Sequence, residues 1–217
     1  MCGELLSLPE RQRADRFVFE RHRRDYILAH GLLRVALSGR VPSVDPTAWS
    51  FVSDPFGRPF VVGPVTAEPL HFSLSHTDGC VAVAVSSSPL VGVDVQVMRE
   101  RESFLAVAAH AFAIEEMDAL RALPPGRRMG RFFEYWVLKE AYVKARGLGL
   151  RLAFDGFSMR IGPSKDISIA FLEGYGDVAD RWRFILRSPS PRHKLAVADG
   201  RGGPGRLHIC ERGWLFD

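Results

Sequence analysis

Residues 132 to 150, FFEYWVLKEAYVKARGLGL, form the stretch that most constrains what this chain can become, because its pattern is that of a helix. Phe133, Trp136, Val137 and Ala141 recur at three- and four-residue steps, and neither Gly nor Pro interrupts them before Gly147 and Gly149. Lys144 and Arg146 suit the negative C-terminal end. Residues four apart share a helix face, so Trp136, Glu140 and Lys144 make one slowly drifting column, with Lys139 a quarter-turn away. On spacing alone, Glu140 and Lys144 read as a surface ion pair of the favourable orientation, worth only ~0.3–0.5 kcal/mol.

Upstream, Glu10 to Leu37 also has a helical pattern, with Phe17, Ile27, Leu28, Leu32 and Leu33 on recurring faces and Gly39 and Pro42 ending the run. Residues 41 to 70 carry six prolines and turn chemistry at Asp54-Pro55 and Gly57-Arg58-Pro59, which predicts loops and edge strands. From Leu70 to Val97 the pattern changes to β: a hairpin across Asp78-Gly79, then Val81 to Val85 and Val91 to Val97, read together as a three-strand meander. In the last strand Val93, Val95 and Val97 share one face, and Gly92, Asp94 and Gln96 the other. Glu102 to Leu123 predicts one or two helices before the turn Pro124-Pro125-Gly126. After Gly149 come strand-like pieces at Leu152 to Ile161, Ile167 to Leu172, Trp182 to Leu186, Leu195 to Ala198 and, more weakly, Leu207 to Cys210. A helix followed by strands, twice over, predicts an α+β protein of two similar halves, residues 1–98 and 99–217.

A chain of 217 residues with 47% hydrophobic and 25% charged side chains has the composition of a globular protein. Its start shows no basic-then-apolar order of a signal peptide, and no apolar run reaches membrane-spanning length. Cys2, Cys80 and Cys210 are far apart and form no C-x-x-C pair, so the reducing cytoplasm is expected, without a disulfide framework or thiolate zinc site; a monomer is expected separately from this. The net charge of +4 is uneven: residues 1–40 hold eight arginines against five acids. That segment is either a solvated helix face or a surface for nucleic acid, an acidic protein or a phosphorylated small molecule.

Three strings turn this pattern towards a specific chemistry. Trp136 to Lys144, W-V-L-K-E-A-Y-V-K, closely resembles the W-x-x-K-E-A-x-x-K motif of Sfp-type 4′-phosphopantetheinyl transferases. Val91 to Gln96, V-G-V-D-V-Q, resembles that family's G-(I/V)-D-(I/V)-E, and His71 to His76, H-F-S-L-S-H, its F-N-x-S-H element. Weaker likenesses are F-G-R-P-F, from Phe56 to Phe60, and the arginine-rich opening from Pro9 to Phe17, so the resemblance spans about Pro9 to Phe157.

The resemblance implies a fold of two related halves with coenzyme A and Mg²⁺ in the cleft between them. It implies transfer of the 4′-phosphopantetheine arm to a serine of an apo acyl- or peptidyl-carrier protein whose surface is acidic. Attack on a diphosphate needs its charge neutralised, and Mg²⁺ takes hard oxygen ligands, usually one or two carboxylates with phosphates and waters. By resemblance Asp94, Gln96 and Glu140 face the metal; His76, with Ser75 beside it, Lys139 and Lys144 face the coenzyme's phosphates; Arg11 and Arg58 lie at its entrance. Glu140, or a water it orients, is the candidate general base, with Lys144 and His76 beside the reaction. Without the motifs, Asp94 reads as an acid on a solvated strand face and His76 as a hydrogen-bonded histidine of core or loop. Asp25, preceded by Arg23 and Arg24, stands where the family often has an arginine, which leaves the cation for the 3′-phosphate open.

No G-x-x-x-x-G-K-(S/T) loop, H-E-x-x-H or G-x-S-x-G occurs, and Ser75 and His76, adjacent on a strand, face opposite ways. The rival class is a non-catalytic module that binds carrier proteins, kept open by Gln96 where the family usually has Glu. A nucleic-acid partner has only the basic start in its favour and is not expected. An amide adds no negative charge to a cation site, so Gln96→Ala should keep substantial activity at a raised Mg²⁺ requirement and Gln96→Glu should lower that requirement. Asp94→Ala should be far worse; Mg²⁺ titrations of turnover check the ranking, which fails if Gln96→Ala is equally inactive.

Overall fold

The computed structural model describes residues 2–55, 57–99, 104–149, 152–163 and 166–202. In chain order the helices are α1 (Leu8–Ala14), α2 (Glu20–Arg40), α3 (Phe104–Ala111), α4 (Ile114–Ala122) and α5 (Pro125–Arg146). The strands are β1 (Ser50–Ser53), β2 (Pro59–Gly63), β3 (His71–Thr77), β4 (Cys80–Ser86), β5 (Val91–Val97), β6 (Phe157–Ile161), β7 (Ile167–Phe171), β8 (Arg183–Arg187) and β9 (His193–Asp199). They make an α+β fold of two similar halves, each with a long helix, α2 or α5, and small antiparallel sheets. The strand expected at Leu207 to Cys210 lies outside the described residues. Among the described residues no helix is long and apolar enough to cross a membrane.

The single helix expected from Glu10 to Leu37 is two. Ser7 caps α1: its hydroxyl accepts from the Glu10 N–H while the Glu10 carboxylate accepts from the Ser7 N–H. The same carboxylate reaches across to α2, 2.7 Å from Arg34 and 2.9 Å from His30. A continuous helix would hold residues 10 and 34 about 36 Å apart at 1.5 Å per residue, so the chain must turn between them. Arg34 is only 1% exposed and also donates to the carbonyls of Pro46, Thr47 and Trp49. It belongs to the interior, not to a solvated arginine face.

The β3–β4 hairpin forms as expected, turning at Gly79 with φ +76°, and the strands expected between residues 41 and 70 pair with each other as β1–β2. The meander does not. Instead of pairing with β4, β5 pairs antiparallel with β9, which pairs with β8. Against β3 it is held differently: the N–H groups of Val93, Val95 and Val97 donate to the hydroxyls of Ser73, Ser75 and Thr77. Side-chain oxygens at every second residue of β3 supply the acceptors that a carbonyl ladder would have supplied. Val93 and Val95 pack with Ala82 and, from β9, Leu195 and Val197.

Two larger cores flank this seam. Leu33 and Leu37 of α2 pack on Trp49, Leu70 and Phe72. The other core surrounds α5, with Phe112, Phe132, Tyr135, Leu138, Tyr142 and Phe157 among its members. The helix begins at Pro125, where the missing N–H costs nothing and φ is already helical, so Pro124-Pro125-Gly126 starts a helix instead of a turn.

The Glu10 junction sets an acid dependence. Burial alone would push the Glu10 carboxyl up, but hydrogen bonds from His30 and Ser7 and the Arg34 charge hold it at about 2 against an ordinary 4.5. A depressed folded-state value means the contribution is complete above about pH 4.5 and is lost as the pH falls towards 2. Urea midpoints measured between those limits should fall more steeply for the natural protein than for Glu10→Gln. Equal slopes would show that this carboxylate does not drive the acid limb.

Candidate active site

The site begins with a contact that only glycine permits. A Cβ at Gly92 would lie 1.9 Å from the carbonyl oxygen of Ala141 and 2.6 Å from the nitrogen of Ala145, so α5 rests directly on the β5 backbone. Strand alternation puts Asp94 and Gln96 on this same face. On α5, Glu140 and Lys144 are the immediate neighbours of Ala141 and Ala145 and so meet Asp94. The polar strand face, which without the motifs reads as solvated, is covered by a helix, and Asp94 is 2% exposed.

Three side chains donate to the Asp94 carboxylate. Lys144 Nζ lies 2.6 Å from Oδ1 and 3.2 Å from the Val93 carbonyl, leaving its third N–H unused by these two bonds. Ser75 Oγ, from β3, donates to the same Oδ1 at 2.8 Å, and Gln96 Nε2 approaches Oδ2 at 3.4 Å. The Glu140 carboxyl is held above its ordinary range, first by burial and then by the negative charge of Asp94, with Lys144 opposing. Lys144 therefore pairs with Asp94 across the seam, not along its own helix with Glu140.

His76 faces away from Ser75, as the alternation requires, and is exposed while Ser75 is buried. Partial burial of the ring comes first among the causes that hold its imidazole below the ordinary 6.5; Asp25 opposes, while Lys144, His30 and His22 add to the depression. It is neutral at pH 7. Ser75 does not share its surroundings: its hydroxyl is engaged by Asp94 and by the Val95 N–H, which leaves it no free proton for a coenzyme phosphate. Arg58 donates to the Pro89 carbonyl at 3.0 Å and lies over Gly147 at the end of α5. Arg11 stands exposed on α1. Trp136 packs between Phe132 and Phe154, a structural role.

Two residues have surroundings that the sequence did not give. Asp25 of α2, 8% exposed, sets its charge against His76. His71 lines, with Arg58, a recess of about 180 Å³ closed by Phe60 and Pro89. Both depend on how α2 and the β1–β2 hairpin lie over β3, which no local pattern encodes.

The donor set suits a small, hard dication. Among the described residues no three histidine, cysteine or carboxylate side chains converge; Asp94 and Glu140 are two carboxylates close enough for the charge of one to act on the other, with the Gln96 amide beside Asp94. Two carboxylates are what Mg²⁺ takes when phosphates and waters complete its shell.

Residues 90–198 match the 4′-phosphopantetheinyl transferase superfamily. The chain is 34% identical to the 4′-phosphopantetheinyl transferase HetI of Nostoc sp. over 89% of its own length and 78% of that protein's. It is 28% identical to a 4′-phosphopantetheinyl transferase of Bacillus subtilis, covering 78% and 73% of the two chains. A crystal structure of the Thermotoga maritima holo-acyl-carrier-protein synthase superposes on 50% of this chain and 60% of its own, at 23% identity and a TM-score of 0.42.

Lys139 departs from the expected constellation. Its ammonium is 0% exposed and lies 2.8 Å from the Glu116 carboxylate, itself fully buried, and 2.7 and 2.6 Å from the carbonyls of Phe154 and Phe157. It points into the core, not towards a phosphate. Glu116 in turn accepts from the N–H groups of Ala113 and Met159, which ties α4 and β6 to α5. Lys139→Met would strand a buried carboxylate and should cost about 3–5 kcal/mol in urea unfolding. Adding Glu116→Gln, which removes the charge but keeps a carbonyl acceptor, should restore much of that loss. If the double variant is no more stable than the single one, the pair is not the reason for the cost.

Proposed function

The chain belongs to the 4′-phosphopantetheinyl transferase superfamily, and from that premise we propose that it acts as an Sfp-type member, moving the 4′-phosphopantetheine arm of coenzyme A onto a serine of an apo acyl- or peptidyl-carrier protein. The observation that carries this reading is the meeting of Asp94, Glu140 and Lys144 where α5 crosses β5. A serine O–P bond forms at the β-phosphorus, the bridging P–O bond breaks, and 3′,5′-ADP leaves.

Asp94 and Glu140, with Gln96 beside them, would hold Mg²⁺, which supplies neutralising charge to the diphosphate. Glu140, as the carboxylate, accepts the serine proton directly or through an ordered water. Lys144 keeps its ammonium fixed on Asp94 and offers its remaining N–H to a phosphate oxygen. His76 donates an N–H to a phosphate oxygen of the coenzyme. Arg58 and, further out, Arg11 supply cations for the coenzyme's other phosphates. The two halves, 1–98 and 99–217, each contribute: Asp94 and His76 from the first, Glu140 and Lys144 from the second. The basic first helices favour an acidic carrier surface.

Incubation with coenzyme A, Mg²⁺ and a panel of apo carriers should give a mass gain of one phosphopantetheine arm; no gain on any carrier would overturn the reading. Glu140→Gln should abolish that gain while leaving the free energy of urea unfolding within about a few tenths of a kcal/mol of the natural protein's. Were Glu140 only a surface partner, turnover would survive the change.

A further inference from the structure

Asp94 could not act from its buried position unless something fixed its carboxylate, and one residue that does so comes from β3, across the seam from α5. The Ser75 hydroxyl donates to Asp94 Oδ1 at 2.8 Å and accepts the Val95 N–H at 3.2 Å, so one side chain ties both the backbone and the carboxylate of β5 to β3. Ser73, two residues earlier, makes the same kind of bond to the Val93 N–H but none to Asp94. The two serines are both buried and share one strand face. They differ in the second bond alone.

We infer that Ser75 is a positioning residue for the proposed cation site: it holds Oδ1 of Asp94 in company with Lys144, and so turns Oδ2 outward as the ligand atom. With Ser75 and Lys144 both on Oδ1, Oδ2 has, among the described residues, the long Gln96 contact at 3.4 Å and retains lone pairs for a metal. Loss of the hydroxyl frees the carboxylate to rotate about its terminal torsion, a broad and weakly restrained one, and leaves the Val95 N–H without its acceptor. Outer hydrogen bonds of this kind commonly set metal affinity by about 10- to 100-fold. The inference rests on the cation reading of Asp94, and its test separates the two.

Binding of Mn²⁺, a spectroscopic stand-in for Mg²⁺, is measured by electron paramagnetic resonance on the full chain without coenzyme, beside Mg²⁺ titrations of turnover. Ser75→Ala should weaken Mn²⁺ at least about tenfold and raise the Mg²⁺ requirement in parallel, Ser75→Thr should restore most of both, and Ser73→Ala should bind Mn²⁺ as the natural protein does. Unchanged Mn²⁺ affinity in Ser75→Ala, or an equal loss in Ser73→Ala, overturns the positioning role, the latter because bracing of β5 would then be the whole effect. Asp94→Asn serves as reference: if it binds Mn²⁺ as well as the natural protein, the cation site itself is refuted, whereas loss there with retention in Ser75→Ala refutes only the role of Ser75. Should Ser75→Ala not fold, Ser75→Cys, close in size but a weak donor, takes its place: weakened Mn²⁺ binding supports the positioning role and unchanged binding overturns it.

Discussion

The approach of α5 to β5 at Gly92 is the contact on which the site depends. With less than a van der Waals diameter between the position of a Cβ and the Ala141 carbonyl, helix and strand have one relative placement, and Ala141 and Ala145 are the small residues that allow it. That placement fixes which residues of a 3.6-residue helix face Asp94, and a one-residue rotation, about 100°, would carry Glu140 and Lys144 away from it. It also buries Asp94, an unfavourable step for a carboxylate. The donors gathered on it, Lys144 and Ser75 on one oxygen and Gln96 near the other, offset that penalty only as long as both halves stay in register.

The same geometry explains why two lysines of one motif have different fates. Lys139 and Lys144 are five residues apart, about 140° around the helix. When Lys144 faces β5, Lys139 must face the interior between α4 and β6, where a bare ammonium would be untenable without Glu116 and the carbonyls of Phe154 and Phe157. Burial pushes the Lys139 ammonium down and the Glu116 carboxyl up, and each partner's charge opposes the other's shift. One lysine therefore braces the helix that carries the other.

Much of this was legible from local pattern. The apolar period from Phe133 to Ala141 with Gly147 after it marked α5, Asp78-Gly79 marked the β3–β4 turn, and alternation put Asp94 with Gln96 and parted Ser75 from His76. What local pattern could not give was set by partners far along the chain. β5 pairs with β9, about a hundred residues later, and not with adjacent β4. The turn between α1 and α2 answers to Glu10 meeting Arg34, and the direction of Lys139 to Glu116. Two local signals carry more than the pattern of their neighbours suggests: Gly92 inside a strand, which points to close backbone approach, and Pro125, suited to the first position of a helix.

The join between β3 and β5 governs how the halves cooperate. A strand can share carbonyl ladders with neighbours on both edges, yet β5 gives its ladder to β9 and meets β3 through hydroxyls. Hydroxyl bonds leave β5 free to belong to the sheet under α5 while remaining fastened to the half that carries His76. They also place an O–H, and not a carbonyl, beside each residue of the seam, and an O–H can both accept from the strand and donate to a carboxylate. A backbone carbonyl at the place of the Ser75 hydroxyl would repel Asp94. The substitution of hydroxyl for carbonyl is therefore what allows an acid to sit, buried and oriented, on the boundary where residues from both halves converge.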